Sequence, residues 1–282
     1  MPPAATPAGG GSEQSLDASL IPISDFQLAL SVILVVITGA VSAALRLGLL
    51  KSLLWGSVRT FVQLSLIGYV LNYVFALDSL VVVILLVLAM CWIAARASVQ
   101  RAKNVPGKPT LPAYLSLVCS TFFVGTLVTQ LIIGPEPWYS ARIVIPMFGL
   151  ILGNSMNGIA LSLDRLYAET RARRGEVDTL LAFGATPWEA VRDCVREAVR
   201  AGMTPTINSL MVVGLVSLPG MMTGQILGGV DPQEAVRYQI VVMLMIAAAV
   251  AIGCLILVGV SYRKMFTGDG ALKPELHRSR AG

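Results

Sequence analysis

Residues 238–262, YQIVVMLMIAAAVAIGCLILVGVSY, decide the fold class, because this run contains no Asp, Glu, Lys or Arg. A helix of about 20 apolar residues is long enough to cross the roughly 30 Å hydrocarbon core of a bilayer. The whole chain has the same character, since 55% of its 282 residues are hydrophobic and only 13% are charged. This composition excludes an ordinary soluble domain and predicts an integral membrane protein.

Other stretches of the chain have the length of a membrane span, and Arg59 is the only charged residue within them. They cover residues 26–45, 53–77, 79–95, 111–133, 143–163 and 203–230. Continuous apolar runs are typical of membrane helices, whereas barrel strands alternate apolar and polar residues. We therefore predict an all-α integral membrane protein with about seven transmembrane helices.

The Lys and Arg residues are concentrated in alternate loops. Seven of them lie between Arg165 and Arg200, whereas the loops of the opposite side hold only Arg142 and Arg237. Since positively charged loops stay in the cytoplasm, we expect the N-terminus outside and the C-terminus inside a plasma membrane, the inner membrane in a bacterium. Attraction to the anionic inner leaflet then accounts for the net charge of +5, so no nucleic-acid partner is needed.

Composition divides the chain into three parts. Residues 1–22 are rich in Pro, Ala, Gly and Ser and predict a disordered tail. Residues 23–265 form the transmembrane domain, which includes a cytoplasmic loop at residues 164–202. Residues 266–282 predict a mobile basic tail.

The long loop, residues 164–202, predicts two short helices joined at a glycine. The first covers about residues 176–183 and ends at Gly184, which readily adopts the left-handed conformation that terminates helices. The second begins with TPWE at residues 186–189, a capping box with proline in the first turn. Its polar face predicts the acid–base pairs Glu189/Arg192, Asp193/Arg196 and Glu197/Arg200.

Two interpretations of this helix–glycine–helix elbow remain open. It is either an amphipathic element lying at the membrane surface or a docking element for a soluble partner. In the second case the apolar side chains of Leu180, Leu181 and Phe183 would enter a groove of the partner.

The predicted span 203–230 is too long for one straight crossing, and Ser217-Leu218-Pro219-Gly220 predicts a break in it. Beyond the break, Gly220, Gly224 and Gly228 recur every four residues, a pattern that lets membrane helices pack closely, including across a dimer axis. Met221 and Met222 are either packing residues or ligands for a soft metal ion.

Polar side chains within the spans have two interpretations. Asn154, Ser155 and Asn157 either join helices by hydrogen bonds or line a polar pathway together with Arg59 and Gln63. Arg59 and Gln63 are four residues apart and share a helix face. Arg59 has a third interpretation, since it is close enough to the predicted end of its span to reach the interface.

Three segments resemble the FetB-type family of ABC transporter permeases. Residues 213–224, VGLVSLPGMMTG, resemble its signature, and residues 228–232, GGVDP, and 181–187, LAFGATP, occur in the expected order. The resemblance covers about residues 25–265. It implies a permease subunit that exports a metal ion such as iron and contributes to metal homeostasis. The same family includes plant aluminium-tolerance permeases.

The elbow also resembles the broader coupling motif of ABC permeases, Glu-Ala-Ala followed after three residues by Gly. Asp178-Thr179-Leu180 and Gly184 occupy the matching places, although Asp replaces Glu, both alanines are absent and Pro205 comes later than the motif's proline. The resemblance implies a coupling site for an ATP-binding subunit formed by Asp178, Leu180, Leu181, Phe183, Gly184, Ala185, Thr186 and Pro187. The tentative substrate pathway comprises Arg59, Gln63, Asn154, Ser155, Asn157, Ser217, Pro219, Gly220, Met221 and Met222.

The chain contains no Gly-x-x-x-x-Gly-Lys-Ser/Thr phosphate loop, so it is not expected to be an enzyme. We expect ATP and Mg²⁺ on a separate ATP-binding subunit, no cofactor on this chain, and a homodimer of it in lipid. The alternative is an ion-coupled secondary transporter or channel. Arg59 is the only Asp, Glu, Lys or Arg in the predicted spans and the single histidine, His277, is in the tail, but sodium coupling through Asn154 stays open.

Overall fold

The computed structural model describes residues 24–77, 79–102, 105–107 and 109–274, and all regular structure within them is helical. The predicted disordered tail 1–22 and His277 lie outside the described residues, as does the end of the C-terminal tail. The helices are α1 (Asp25–Leu30), α2 (Val32–Ala44), α3 (Leu50–Leu77), α4 (Leu80–Arg101), α5 (Thr110–Leu127), α6 (Ala141–Ala172), α7 (Arg174–Ala182), α8 (Pro187–Val212), α9 (Gly220–Leu227) and α10 (Pro232–Arg263). A π-helical turn, Val128–Ile133, extends α5.

Six helical segments of the described chain are long and apolar enough to cross a membrane. They are Asp25–Ala44, Leu50–Leu77, Leu80–Arg101, Thr110–Ile133, Ala141–Ala172 and Pro232–Arg263. These segments confirm six of the seven predicted spans as apolar helices. The predicted orientation of the termini stays a prediction.

The seventh predicted span, 203–230, is not one helix. Its first part is the end of α8, which begins far upstream at Pro187, and its last part is the short helix α9. Between them the chain turns at Gly214, which has a φ of 83°, and Pro219 precedes α9 in an extended conformation. The break predicted around Pro219 is confirmed, and it divides the segment because neither residue continues a helix.

The core is formed by α4, α5, α6, α8 and α10, and the closest packing joins α6, α8 and α10. Leu117, Ile151, Leu163 and Leu257 are fully buried there. Small residues allow these helices to approach one another, as is typical of membrane bundles.

The N-terminal helices lie at the edge of this core. Helix α2 packs on α3, and α3 contacts α4 and α6 only slightly. Among the described side chains of α3, Val74 alone is buried. Its long apolar surface is suited to lipid or to a second membrane helix.

The first residues of the predicted mobile tail form a tight turn after α10. The Thr267 N–H donates to the Ala271 carbonyl oxygen at 2.8 Å, and the Lys273 N–H donates to the Met265 carbonyl oxygen at 2.9 Å. Phe266 and Leu272 are buried in the core. This C-terminal turn, residues 264–273, therefore extends the packed domain beyond residue 265.

Candidate coupling elbow and membrane break

The elbow predicted at residues 176–200 is present in the structure. Helix α7 ends at Ala182 with Phe183 as its C-cap residue, and Gly184 follows with a φ of 88°. The Ala185 N–H donates to the Leu180 carbonyl oxygen and the Gly184 N–H donates to the Leu181 carbonyl oxygen, both at 3.0 Å. These bonds satisfy the last carbonyl groups of the helix, so the prediction of a helix end at Gly184 is confirmed.

The start of α8 is the predicted capping box. The Thr186 hydroxyl accepts from the Glu189 N–H at 3.3 Å, and the Thr186 N–H donates to the Glu189 carboxylate at 2.8 Å. The Thr186 hydroxyl also donates to that carboxylate at 2.7 Å. Hydrogen bonds from Thr186 favour the charged form of Glu189 and lower the pKa of its carboxyl group.

The predicted ion pairs on α8 are partly formed. Asp193–Arg196 is present at 3.5 Å and Glu197–Arg200 at 2.9 Å. The third pair, Glu189/Arg192, is absent from the ion pairs of the described chain. That prediction is wrong because the Glu189 carboxylate caps its own helix instead.

The apolar side chains of the elbow differ in their exposure to solvent. Phe183 is 87% exposed and Leu180 is 38% exposed, whereas Leu181 packs against the core. Asp178 is bound to Arg174 of its own helix at 3.2 Å. Of the three apolar residues predicted to enter a partner's groove, Phe183 and Leu180 are therefore the accessible ones.

The elbow is also attached firmly to the bundle. Val177 and Val191 are buried, and the rings of Trp188 and Tyr262 lie with their centroids 5.3 Å apart. The start of α8 and the C-terminal turn border a shared groove that includes Pro187. A displacement of the elbow would therefore move α8 together with the end of α10.

Helix α8 crosses the bundle at a glycine contact. A Cβ atom added to Gly202 would overlap the Ser162 hydroxyl and lie 2.7 Å from the Gly158 carbonyl oxygen and 2.9 Å from the Cys254 sulfur atom. Helices α6, α8 and α10 thus meet where only glycine fits in α8. The sequence predicts Gly202 at the end of the cytoplasmic loop 164–202, so the contact could not be located from sequence.

The break after α8 is an exposed turn. Leu215 and Val216 are among the most exposed apolar residues, and the Gly214 N–H donates to the Ser217 carbonyl oxygen at 2.9 Å. In α9, Met221 packs against the core and Met222 is partly buried. Added Cβ atoms on Gly220 and Gly224 would meet nothing within 4 Å.

The residues of the tentative pathway are not gathered into one site. Arg59 and Gln63 lie exposed on α3, and no hydrogen bond in the described part of the chain joins either of them to the asparagines of α6. Asn154 donates to the Leu150 carbonyl oxygen at 2.9 Å within its own helix. Ser155 is buried with its hydroxyl unpartnered. The pathway as a whole stays a prediction.

Asn157 has a partner that the sequence analysis did not identify. Its side-chain oxygen accepts a hydrogen bond from the Arg101 guanidinium at the end of α4. The bond joins α4 to α6, which favours the interpretation of Asn157 as a link between helices. Arg101 lies six residues beyond the predicted span 79–95, and its place among the basic residues of the following loop was the only sequence signal for it.

No cluster of three or more His, Cys, Asp or Glu residues suited to a metal ion occurs in residues 24–77, 79–102, 105–107 and 109–274. Met221 and Met222 are adjacent in sequence near the break, and neither is fully exposed. The choice between packing and metal binding for these two residues stays open.

A family model describes the whole membrane domain. Residues 25–266 match the uncharacterised protein family UPF0014. The chain belongs to this family. The resemblance to FetB-type proteins expected from the motif at residues 213–224 is confirmed by the relatives of this UPF0014 member.

Its relatives come from bacteria and plants. The chain is 34% identical to the "Probable iron export permease protein FetB" of Escherichia coli over 86% of this chain and 93% of FetB. It is 37% identical to the "UPF0014 membrane protein YjkA" of Bacillus subtilis, over 87% and 97% of the two chains. It is 33% identical to the "Protein ALUMINUM SENSITIVE 3" of Arabidopsis thaliana, over 85% and 86%. No solved structure matches the chain.

These relationships and the apolar helices identify a multi-pass membrane protein. Relatives are named as membrane proteins or as a permease, which is consistent with a non-enzymatic transport subunit.

Proposed function

We propose that this UPF0014 chain is the membrane permease subunit of an ABC transporter, driven by a separate ATP-binding subunit. The observation that carries the proposal is the elbow, because an exposed phenylalanine, Phe183, lies at the junction of two helices that are anchored in the bundle. An exposed aromatic side chain on a rigid turn is suited to a groove of a soluble partner. The ATP and Mg²⁺ are bound by that partner.

The long helix α8 gives the elbow a route into the membrane domain. It runs without interruption from the cap at Thr186, past the contact at Gly202, to the break that follows Val212. A rigid helix held at an internal crossing transmits a displacement of one end to the other. Closure of the ATP-binding subunits would therefore shift the residues around the break between inward-open and outward-open arrangements.

The cargo we propose is a metal ion such as iron, exported from the cytoplasm across a bacterial inner membrane. The printed name of the FetB relative supports this choice. Ser217 and the main-chain carbonyl groups at the break offer oxygen ligands, and Met221 and Met222 offer sulfur. These residues are the proposed contacts along the pathway.

We further propose that two copies of the chain form the transporter. A homodimer provides two equivalent elbows for two equivalent ATP-binding subunits related by a twofold axis. The apolar surface of α3 and the open glycine side of α9 are available for contact with a second copy. Lipid covers whatever part of these surfaces the second copy leaves free.

The first test is purification of the full chain together with the ATP-binding protein encoded nearest to it. We expect the wild-type chain to elute with that protein and to stimulate its ATPase activity, and Phe183→Asp to abolish both. Phe26→Asp is the matched control, since Phe26 is also exposed, at 77%, but lies at the end of the bundle predicted to face outward. Failure of the wild-type chain to bind any ATPase would instead favour an ion-coupled transporter.

A further inference from the structure

A small cavity lies beside the C-terminal turn, outside the elbow and the break. It has a volume of about 230 Å³. Pro106, Gly107 and Pro109, which precede α5, form one wall. Tyr167 of α6 forms another, and Lys264 and Lys273 of the C-terminal turn complete the cavity. Three parts of the chain that are distant in sequence thus meet around one space.

The cavity is positively charged. Neither Lys264 nor Lys273 forms an ion pair with any described residue, and none of the described residues that line the space is acidic. The first turn of α5, at Thr110, also borders the cavity and adds the positive end of a helix dipole. Two lysines with no acidic partner in the described part of the chain favour an anionic ligand.

The size of the cavity restricts that ligand. At about 30 Å³ per molecule the space holds roughly eight waters. Pockets for drug-sized ligands have about 300–1,000 Å³, so this cavity is smaller than a typical pocket of that class. A phosphate group with part of its hydration shell fits.

The cavity lies at the end of the apolar part of the bundle. Lys264 directly follows α10, and the apolar segment Thr110–Ile133 begins at the cavity wall. Lipid phosphate groups lie just outside the hydrocarbon core, so the end of these apolar segments is where we expect them. The contact between Trp188 and Tyr262 brings the elbow to the same end of the bundle.

We infer that Lys264 and Lys273 form a binding site for a phosphate group, either the headgroup phosphate of an anionic phospholipid or free inorganic phosphate. Ligand bound there joins the C-terminal turn to α5 and α6. Because the turn also borders the groove at Pro187, phosphate binding stabilises the surface against which the elbow packs. This site does not depend on the proposed transport function.

Thermal unfolding of the purified full chain in detergent tests the inference. One series adds inorganic phosphate and another adds short-chain phosphatidylglycerol, each compared with chloride at equal ionic strength. We expect at least one probe to raise the unfolding midpoint in a saturable manner, from which an apparent Kd follows. A response to phosphatidylglycerol alone identifies a lipid headgroup site, and an equal response to both identifies a site for phosphate itself.

Variants connect the response to the two lysines. Lys264→Ala and Lys273→Ala should each weaken the apparent Kd about fivefold, and the double variant about 25-fold, as expected for one lost lysine contact each. Lys264→Arg/Lys273→Arg should keep the response, and Lys51→Ala, an exposed lysine in the first turn of α3, is the matched control. If the double variant does not fold, the apparent Kd values of the single variants test the inference. No response above chloride in the wild-type chain, or an unchanged Kd in the alanine variants, would overturn the inference.

Discussion

At the scale of single residues, the glycine contact between α6 and α8 is the tightest feature of the bundle. The Cβ of any other residue at position 202 would come within 2.7 Å of the Gly158 carbonyl oxygen. A main-chain atom in the middle of a packed helix cannot move aside easily, because the interior is close-packed. The identity of Gly202 is therefore required by packing and not by backbone conformation.

Gly202→Ala should consequently destabilise the protein by about 1–3 kcal/mol, the usual cost of overpacking a core. Thermal or denaturant unfolding in detergent measures the effect. Gly153→Ala is the matched control, because Gly153 lies in α6 and an added Cβ there meets nothing within 4 Å. Equal stability of the two variants would show that α6 and α8 are farther apart at position 202 than in the structure.

The Thr186 cap is the second residue-scale determinant, since it organises the start of α8. Thr186→Ala should cost about 1 kcal/mol locally and speed hydrogen exchange in the first turn of α8 about fivefold at neutral pH. Thr204→Ala is the control, because Thr204 lies inside the same helix and its hydroxyl donates to the Arg200 carbonyl oxygen one turn earlier. An identical exchange rate in both variants would mean that the cap does not hold the turn.

Because of this cap, the stability of the first turn of α8 depends on pH. The pKa of Glu189 in the folded chain is lower than its ordinary value of about 4.3 because Thr186 hydrogen-bonds the carboxylate. The stabilisation is therefore complete above that ordinary value and is lost as the pH falls through the lowered pKa. Hydrogen exchange of the first turn of α8, corrected for intrinsic rates, should reveal this loss in the wild type and not in Glu189→Gln.

At the scale of elements, α8 joins in one helix two segments that hydropathy predicts as separate elements. Its first half carries charged residues that face water, and its second half enters the bundle past Gly202. Rigidity between these halves is what the proposed mechanism requires, because a flexible joint would absorb the movement of the elbow. The exposed positions Arg192 and Arg196 allow that requirement to be tested without disturbing the core.

Arg192→Gly/Arg196→Gly should uncouple transport from ATP hydrolysis. Each glycine lowers helix stability by about 1 kcal/mol, so the pair softens α8 while leaving the elbow and its cap intact. We expect the variant to bind the ATP-binding subunit normally and to lose ATP-driven transport in proteoliposomes. Arg192→Ala/Arg196→Ala removes the same charges and should retain transport; loss of transport in both variants would attribute the effect to charge.

At the scale of the whole molecule, the proposed function requires more than one chain. The described bundle exposes most of α3, and α9 has exposed positions at Gly220, Gly224 and Leu227, so these surfaces are available to a second copy and to lipid. The proposed assembly contains two permease chains and two ATP-binding subunits related by a twofold axis.

The mass of the purified complex, measured by light scattering after subtraction of detergent, should correspond to two copies of each subunit. A mass corresponding to a single permease chain would contradict the homodimer.

In inverted membrane vesicles the complex should drive ATP-dependent uptake of iron, and Phe183→Asp should abolish the uptake. ATP-driven uptake of another ion with no uptake of iron would retain the permease assignment and change the cargo.

Much of this architecture was accessible from local sequence. Six apolar spans, the helix end at Gly184, the capping box at residues 186–189 and the break near Pro219 were predicted and are present. Each depends on a signal within one turn or one span: hydropathy, a glycine at a helix end, a threonine three residues before a glutamate, or a proline without an N–H.

Tertiary structure alone decided how these elements are joined. In the structure α8 is one continuous helix, whereas the sequence suggested a loop helix and a separate span. The fold also brings Gly158 into contact with Gly202 and places Asn157 in hydrogen-bonding contact with Arg101. It also brought Lys264 and Lys273 to the cavity beside Tyr167. These features depend on residues distant in the chain, and the free energy of packing them together is not encoded in any one window of sequence.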